Sequence, residues 1–198
     1  MLPVKTFPAA KTRLLSASTS PAAHRRLVEA VRADTLSAAR AADGVARVLV
    51  VADRDGLPDA LVQARPGLNP GLTEAAAHAA QKWPEDGVVA LVGDLPALRP
   101  AELAAALAAA GRYPRSFVPD ADGTGTTLLA VQPGVALEPA FGVDSAARHR
   151  AGAIALDAGP GLRRDVDTAA DLQAAAELGL GPATAAELGL ATGFARSP

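Results

Sequence analysis

The sequence contains no cysteine, which excludes disulfide bonds and thiolate-held metals and fits a reducing compartment. It has no apolar run approaching the roughly 20 residues of a membrane span. The opening stretch MLPVKTFPAAKTRL sets Lys5, Lys11 and Arg13 where a secretory leader would carry its apolar centre. The expectation is therefore a cytoplasmic protein with no membrane partner. There is no large excess of one charge either: the formal net charge is −2, which gives no reason to expect a nucleic acid partner. The glycines of a G-x-x-x-x-G-K-[ST] phosphate loop are missing, and no Ser-His-Asp nucleophile arrangement stands out. Internal repeats and low-complexity linkers are absent as well, so the 198 residues are expected to form a single domain, 1–198.

What the chain does have is a regular alternation of apolar runs and helix-favouring stretches. Leu2 to Val4 reads as the stub of a first strand. Ser20-Pro21 reads as an N-cap followed by proline at the first helical position, opening a helix to about Ala42 with Leu27, Val31, Thr35 and Ala38 on one face. VARVLVVAD and the run Val88 to Val92 read as strands buried on both faces, and helices are expected over Thr73 to Lys82 and Pro100 to Ala110. SFVPDADGTGTTLLAV reads as strand, glycine-rich turn and strand. FGVDSAARHRAG then reads as a short helix, AIALDA as a strand, DTAADLQAAAELG as a helix capped by Asp167 or Thr168, and Pro182 to Leu190 as a last short helix. Apolar strands alternating with helices predict an α/β fold: a three-layer α/β/α sandwich around a mostly parallel sheet.

In such a sheet, ligands bind beyond the carboxyl ends of the strands. Asp94 follows Val88–Val92 by one glycine and would emerge there, although a turn aspartate bonding local amides ahead of Pro96 fits the same position. RRDVDT adds Asp165 and Asp167. One of these, with Asp94, would suffice for Mg2+, a hard ion that keeps several waters and takes phosphate oxygens, while the other caps the following helix. Two carboxylates about 4 Å apart repel by about 4 kcal/mol at an effective dielectric near 20, so their convergence would predict a metal. KTFPAAKTR offers Lys5, Lys11 and Arg13 to a triphosphate, with a solvated basic loop as the competing reading. DGTGTT supplies glycines and threonine hydroxyls that suit either an anion or a hairpin turn. Ser145, Arg148 and His149 fall at i, i+3 and i+4 of the short helix, and His149 reads as a surface histidine.

With VKTFPAAKTRL, LN, GDLP, GTGTT, FGVDSAARH and DVDTAADL in this order, the chain resembles the guanylyltransferases of deazaflavin coenzyme (coenzyme F-420) biosynthesis, the 2-phospho-L-lactate guanylyltransferase family with its actinobacterial phosphoenolpyruvate branch. The resemblance runs from the first strand to about Ala183 and implies the Rossmann-like fold of nucleotide-diphospho-sugar transferases. It also implies a reaction in which the phosphate of an acceptor attacks the α-phosphorus of GTP and pyrophosphate leaves. By motif, it places Asp94 and Asp165 on Mg2+, with Asp167 assisting or capping. Thr126, Gly142 and Ser145 would hold phosphoenolpyruvate; Lys5, Lys11 and Arg13 would meet the triphosphate; Leu68 and Asn69 would lie near the guanine. The expected partners are GTP and phosphoenolpyruvate, a second copy in a homodimer, and the downstream deazaflavin-transferring enzyme. The competing functions are the same transfer to 2-phospho-L-lactate or 3-phosphoglycerate, and a non-catalytic nucleotide-binding domain on the same fold.

Overall fold

The strand residues sort alternately into two cores, because successive side chains of a strand leave opposite faces of the sheet. Leu91, Val118, Leu128 and Ala130 enter one core with Ala38, Leu103, Ala106 and Leu162. Their sequence neighbours Ala90, Phe117, Leu129 and Val131 enter the other with Leu72, Ala76 and Ala146. Helices therefore cover both faces, which gives the expected three layers. The computed structural model describes residues 2–4, 20–53 and 60–190.

Three short strands, β1 (Leu2–Val4), β2 (Val50–Ala52) and β3 (Ala60–Val62), pair in parallel in the order β1-β2-β3. Four more, β4 (Val88–Leu91), β5 (Arg115–Pro119), β6 (Thr126–Val131) and β7 (Ile154–Ala155), run in the order β4-β6-β5-β7. β1 lies beside β4 and joins the two groups. Among the described strands, β6 alone runs antiparallel to its neighbours, β4 and β5; β5 and β7 are parallel. All six residues of β6 are buried, so its run of TTLLAV has no polar face to alternate.

α1 (Pro21–Ala41) is capped by the Ser20 hydroxyl, which accepts from the Ala23 N–H at 3.2 Å, with Pro21 at the first position. Its Leu27, Val31, Thr35 and Ala38 are all buried, as the periodicity requires. α2 (Leu68–Lys82) begins five residues before the expected start at Thr73. Pro70 falls in the first turn of the helix, which leaves its N–H groups unbonded and so tolerates proline. VARVLVVAD contributes only the three residues of β2, because each of its ladder partners is three residues long. β3 and the short α5 (Pro160–Arg163) had no counterpart in the sequence reading, and β7 pairs over only two residues.

α3 (Pro100–Ala110) has the bounds read from the sequence. α4 (Ser145–Arg150), α6 (Ala169–Leu178) and α7 (Pro182–Glu187) complete the chain. Thr168, not Asp167, caps α6: its hydroxyl accepts from the Asp171 N–H at 3.3 Å, and Asp171 Oδ2 accepts from the Thr168 N–H at 2.8 Å. A third cluster, Leu27, Val31, Val166, Leu172, Ala175 and Ala185, packs α6 and α7 against α1.

The loop after β4 is held by α1. Thr35, fully buried, donates its hydroxyl to the Val31 carbonyl at 3.0 Å and accepts the Leu95 N–H at 2.9 Å. One residue earlier stands Asp94. Thr35→Val keeps the shape but strands a buried N–H, which costs about 1–3 kcal/mol. Denaturant unfolding of Thr35→Val should show a loss in that range; an unchanged midpoint would mean that the amide finds another partner.

Candidate active site

Antiparallel pairing puts the start of β6 beside the end of β4. Leu91 pairs with Leu128, and the next step of the ladder is the bond from the Val92 N–H to the Thr127 carbonyl at 2.9 Å. Thr126 therefore begins its strand beside Gly93 and Asp94. A second backbone bond brings in the third segment: the Val166 N–H donates to the Asp94 carbonyl at 3.0 Å. The segments carrying Asp94, Thr126 and Asp165–Asp167 thus meet at one edge of the sheet, although 32 residues of chain separate the first two and almost 40 the last two.

Val166 turns fully into the core, while its neighbours differ: Asp165 is half-buried and Asp167 is exposed. Asp94 is half-buried, with Oδ1 withdrawn from solvent. The two segments that this backbone bond joins carry carboxylates, the oxygen donors that a hard divalent cation such as Mg2+ takes. Among the described residues no group of three or more His, Asp or Glu side chains closes on one point.

Next to Thr126 lies the loop 140–143, held by three side chains. Asn69 makes a reciprocal pair with Phe141: its Oδ1 accepts the Phe141 N–H at 2.9 Å and its Nδ2 donates to the Phe141 carbonyl at 3.1 Å. Arg148 donates from Nε and Nη2 to the Ala140 carbonyl at 3.0 and 2.9 Å, and from Nη1 to the Val143 carbonyl. His149 Nε2 accepts the Ala140 N–H at 3.0 Å. Gly142 has φ 122°, a conformation that side chains disfavour. The loop then turns through Asp144 into α4, whose first residue, Ser145, is buried.

The GTGT turn is tied to the same group. Asp120 accepts the Thr124 N–H at 3.0 Å and the Gly125 N–H at 2.8 Å, and the Ala146 N–H donates to the Thr124 carbonyl at 3.0 Å. The Thr124 and Gly125 amides are thus occupied by the carboxylate of Asp120, as in a turn and not as in an anion site. A Cβ on Gly125 would lie 2.2 Å from Asp120 Oδ2, so the second glycine serves close approach and not a positive φ.

His149 is not a surface residue. It is 4% exposed, packed between Phe117 and Phe141 with ring centroids 5.9 and 5.2 Å away, and its Nδ1 lies 2.8 Å from Thr126 Oγ1. Burial, and after it the Arg148 charge, holds its pKa down at about 4. It is neutral at neutral pH. The sequence spacing had grouped Ser145, Arg148 and His149 but could not show that the last points inward.

Of the remaining expected residues, Lys5, Lys11 and Arg13 lie outside the described residues; Lys5 directly follows Val4, the end of β1. Leu68 opens α2 and packs beside Leu72 on the Phe141 side of the sheet. A cavity of about 280 Å³ lined by Arg47, Trp83, Asp86 and Val88 lies at the opposite, amino end of β4 and has no part in this cluster.

The sheet order, with helices on both faces, gives an α/β fold like that of proteins described as nucleotide-diphospho-sugar transferases, and acidic residues lie beyond β4 and before α6. A solved structure from Desulfovibrio desulfuricans assigned to that group superposes with a TM-score of 0.68 at 18% identity, covering 86% of this chain and 82% of the other. The Mycobacterium tuberculosis protein Rv0371c gives a TM-score of 0.51, also at 18% identity, over 89% and 96%. These likenesses speak for the fold. The family model "Guanylyl transferase CofC like" matches residues 1–156. Proteins named phosphoenolpyruvate guanylyltransferase from Geodermatophilus obscurus and Streptomyces coelicolor are 51% and 50% identical, each over at least 94% of this chain and 93% of their own. The chain belongs to the CofC-like guanylyl transferase family.

Proposed function

We propose that the protein joins GTP and phosphoenolpyruvate, giving enolpyruvoyl-2-diphospho-5'-guanosine and pyrophosphate. An oxygen of the acceptor's phosphate forms the new bond to the α-phosphorus, the bond to the bridging α–β oxygen breaks, and pyrophosphate leaves with that electron pair. The attacking phosphate is already anionic at neutral pH, so no general base is needed and catalysis rests on positioning and charge neutralisation. The observation that carries this reading is the bond from Val166 N–H to the Asp94 carbonyl, which joins two acidic segments beside Thr126.

In this reading Asp94 and Asp165 hold Mg2+, and Asp167 stands exposed beside them. When bound, the ion supplies positive charge to the α-phosphate and to the departing pyrophosphate. Thr126, Gly142 and Ser145 receive phosphoenolpyruvate. Lys11 and Arg13, with Lys5, are assigned to the triphosphate on their charge and sequence position. Leu68 and Asn69 border the nucleotide. The choice of phosphoenolpyruvate over 2-phospho-L-lactate or 3-phosphoglycerate follows the names of relatives about half identical to this chain. The proposal extends to a place in deazaflavin coenzyme biosynthesis in the cytoplasm, as a homodimer that hands its product to the next enzyme.

Pyrophosphate release from GTP and Mg2+ tests it, with phosphoenolpyruvate, 2-phospho-L-lactate and 3-phosphoglycerate offered separately and ATP as the base control. Release with GTP and phosphoenolpyruvate, and little with the other pairs, is the expected result. Release with another acceptor would correct the substrate. Silence with all three, in protein that still binds GTP, would overturn the transfer reaction and favour a nucleotide-binding domain.

A further inference from the structure

The polarity of a threonine hydroxyl in an anion site depends on where its proton points. If Thr126 donated to His149, it would present only lone pairs to an incoming phosphate or carboxylate and repel it. If it accepted from His149, its proton would be left to face the site. The hydrogen bond between Thr126 Oγ1 and His149 Nδ1, at 2.8 Å, does not settle the direction by itself.

The other side of the ring does. His149 Nε2 lies 3.0 Å from the Ala140 amide nitrogen, with the backbone N–H directed at it. A backbone N–H can only donate, so Nε2 must carry a lone pair and the neutral ring must carry its proton on Nδ1. That proton then goes to Thr126 Oγ1. Among the described residues the Thr126 hydroxyl makes no second hydrogen bond. Protonating the whole ring would set two hydrogens against each other at Nε2, and the group is kept neutral by burial between Phe117 and Phe141. The neighbouring Arg148 guanidinium is occupied by the carbonyls of Ala140 and Val143.

We propose that His149 is a positioning residue that fixes the direction of the Thr126 hydroxyl: by donating from Nδ1 it obliges Thr126 to act as a hydrogen-bond donor to the anionic phosphoenolpyruvate acceptor. The Ala140 amide sets the tautomer, the tautomer sets the hydroxyl, and Thr126, a residue 6% exposed, stands at the start of β6, where the acceptor is assigned. The inference rests on the assignment of Thr126 to phosphoenolpyruvate made above. It adds that a buried histidine 23 residues further along the chain controls what that threonine can bind.

Two isosteric halves of the ring separate this role from plain packing. In His149→Asn the amide nitrogen reaches the Nδ1 position and can still donate to Thr126. In His149→Gln the amide oxygen reaches the Nε2 position and can still accept from Ala140, but Thr126 loses its donor. Losing the fixed hydroxyl should raise KM for phosphoenolpyruvate by about tenfold in the Gln variant, as expected for one hydrogen bond to a charged group. KM for GTP should stay within about twofold, and the Asn variant should keep KM for phosphoenolpyruvate within about threefold. The reverse order, or equal effects of both variants, would overturn the proposal. Thr126→Val belongs in the same series. If it leaves KM for phosphoenolpyruvate unchanged, the acceptor assignment itself fails; if it raises KM while both His149 variants behave as wild type, only the role of His149 fails. Nitrogen NMR of the wild-type histidines gives a readout independent of any variant's folding. The Nδ1-protonated tautomer is expected for His149, and an Nε2-protonated ring would refute the mechanism.

Discussion

Asp94→Asn should lower kcat for pyrophosphate release by about 10³-fold while leaving the protein folded. The substitution keeps the size of the side chain and removes the charge that, in the proposed reaction, holds a divalent cation on the reacting phosphates; loss of a group that neutralises developing charge typically costs about 10²–10³ in kcat. The fold should survive because the backbone around Asp94 is anchored without its side chain. Its carbonyl takes the Val166 N–H, and the next amide, Leu95, is held by Thr35. Cooperative unfolding without Mg2+ should therefore be retained, and its melting temperature sets the variant's own baseline. The additional stabilisation that Mg2+ brings in the presence of GTP should disappear, since a ligand that no longer binds the folded state no longer stabilises it. A variant with near-normal kcat at the usual Mg2+ concentration would remove Asp94 from the metal site.

The features legible in the sequence are those whose cause is local. Ser20-Pro21 and the Asp167-Thr168 pair announce helix starts because a cap hydroxyl accepts from an N–H only three residues further on. The run Val88 to Val92 announces a strand because both of its faces are covered. DGTGTT announces a turn because glycine is needed there in fact: Gly123 has φ 77°, and Gly125 leaves room for Asp120. The acidic pair could be nominated by its position at the ends of elements.

What the sequence could not show is which distant residue completes each local feature. Thr35 finds its partner 60 residues away at Leu95, and Asn69 finds its own 72 residues away at Phe141. Asn69, expected near the guanine, has its amide on the Phe141 backbone, so it braces the loop bearing Gly142 from the side of α2. His149 carries no sequence mark of burial, since Arg148 and Arg150 flank it, and only the fold places Phe117 and Phe141 around the ring. The four-residue α5 is too short for any periodicity. Each of these contacts depends on a crossing of chain segments, and such crossings are a property of the sheet order and not of any window of sequence.

That short helix carries the second large expectation. Gly161→Ala should destabilise the protein by about 3 kcal/mol, roughly 10 °C in Tm for a chain of this length, and should impair turnover in what remains folded. The reason is not conformational freedom, because Gly161 has no positive φ. A Cβ there would stand 2.3 Å from the carbonyl oxygen of Ala97, which is backbone and cannot swing away, and 2.4 Å from Glu102 Oε2. Glu102 is itself committed: it accepts the Gly161 N–H at 3.1 Å and the Arg99 N–H at 3.3 Å, the latter as part of the α3 cap. α5 would have to lift from the segment that follows Asp94. Because α5 leads through Arg163 and Arg164 directly into Asp165, lifting it moves one acidic segment away from the other, and a misplacement of about 1 Å can cost roughly 100-fold in rate. The variant should therefore need more Mg2+ for half-maximal turnover, measured well below its own melting temperature. Gly152→Ala is the control, since a Cβ there meets nothing within 4 Å. Gly161→Ala with wild-type Tm and Mg2+ dependence would show that α5 can yield without disturbing Asp165, and that the close contact at Ala97 is not what holds the two acidic segments together.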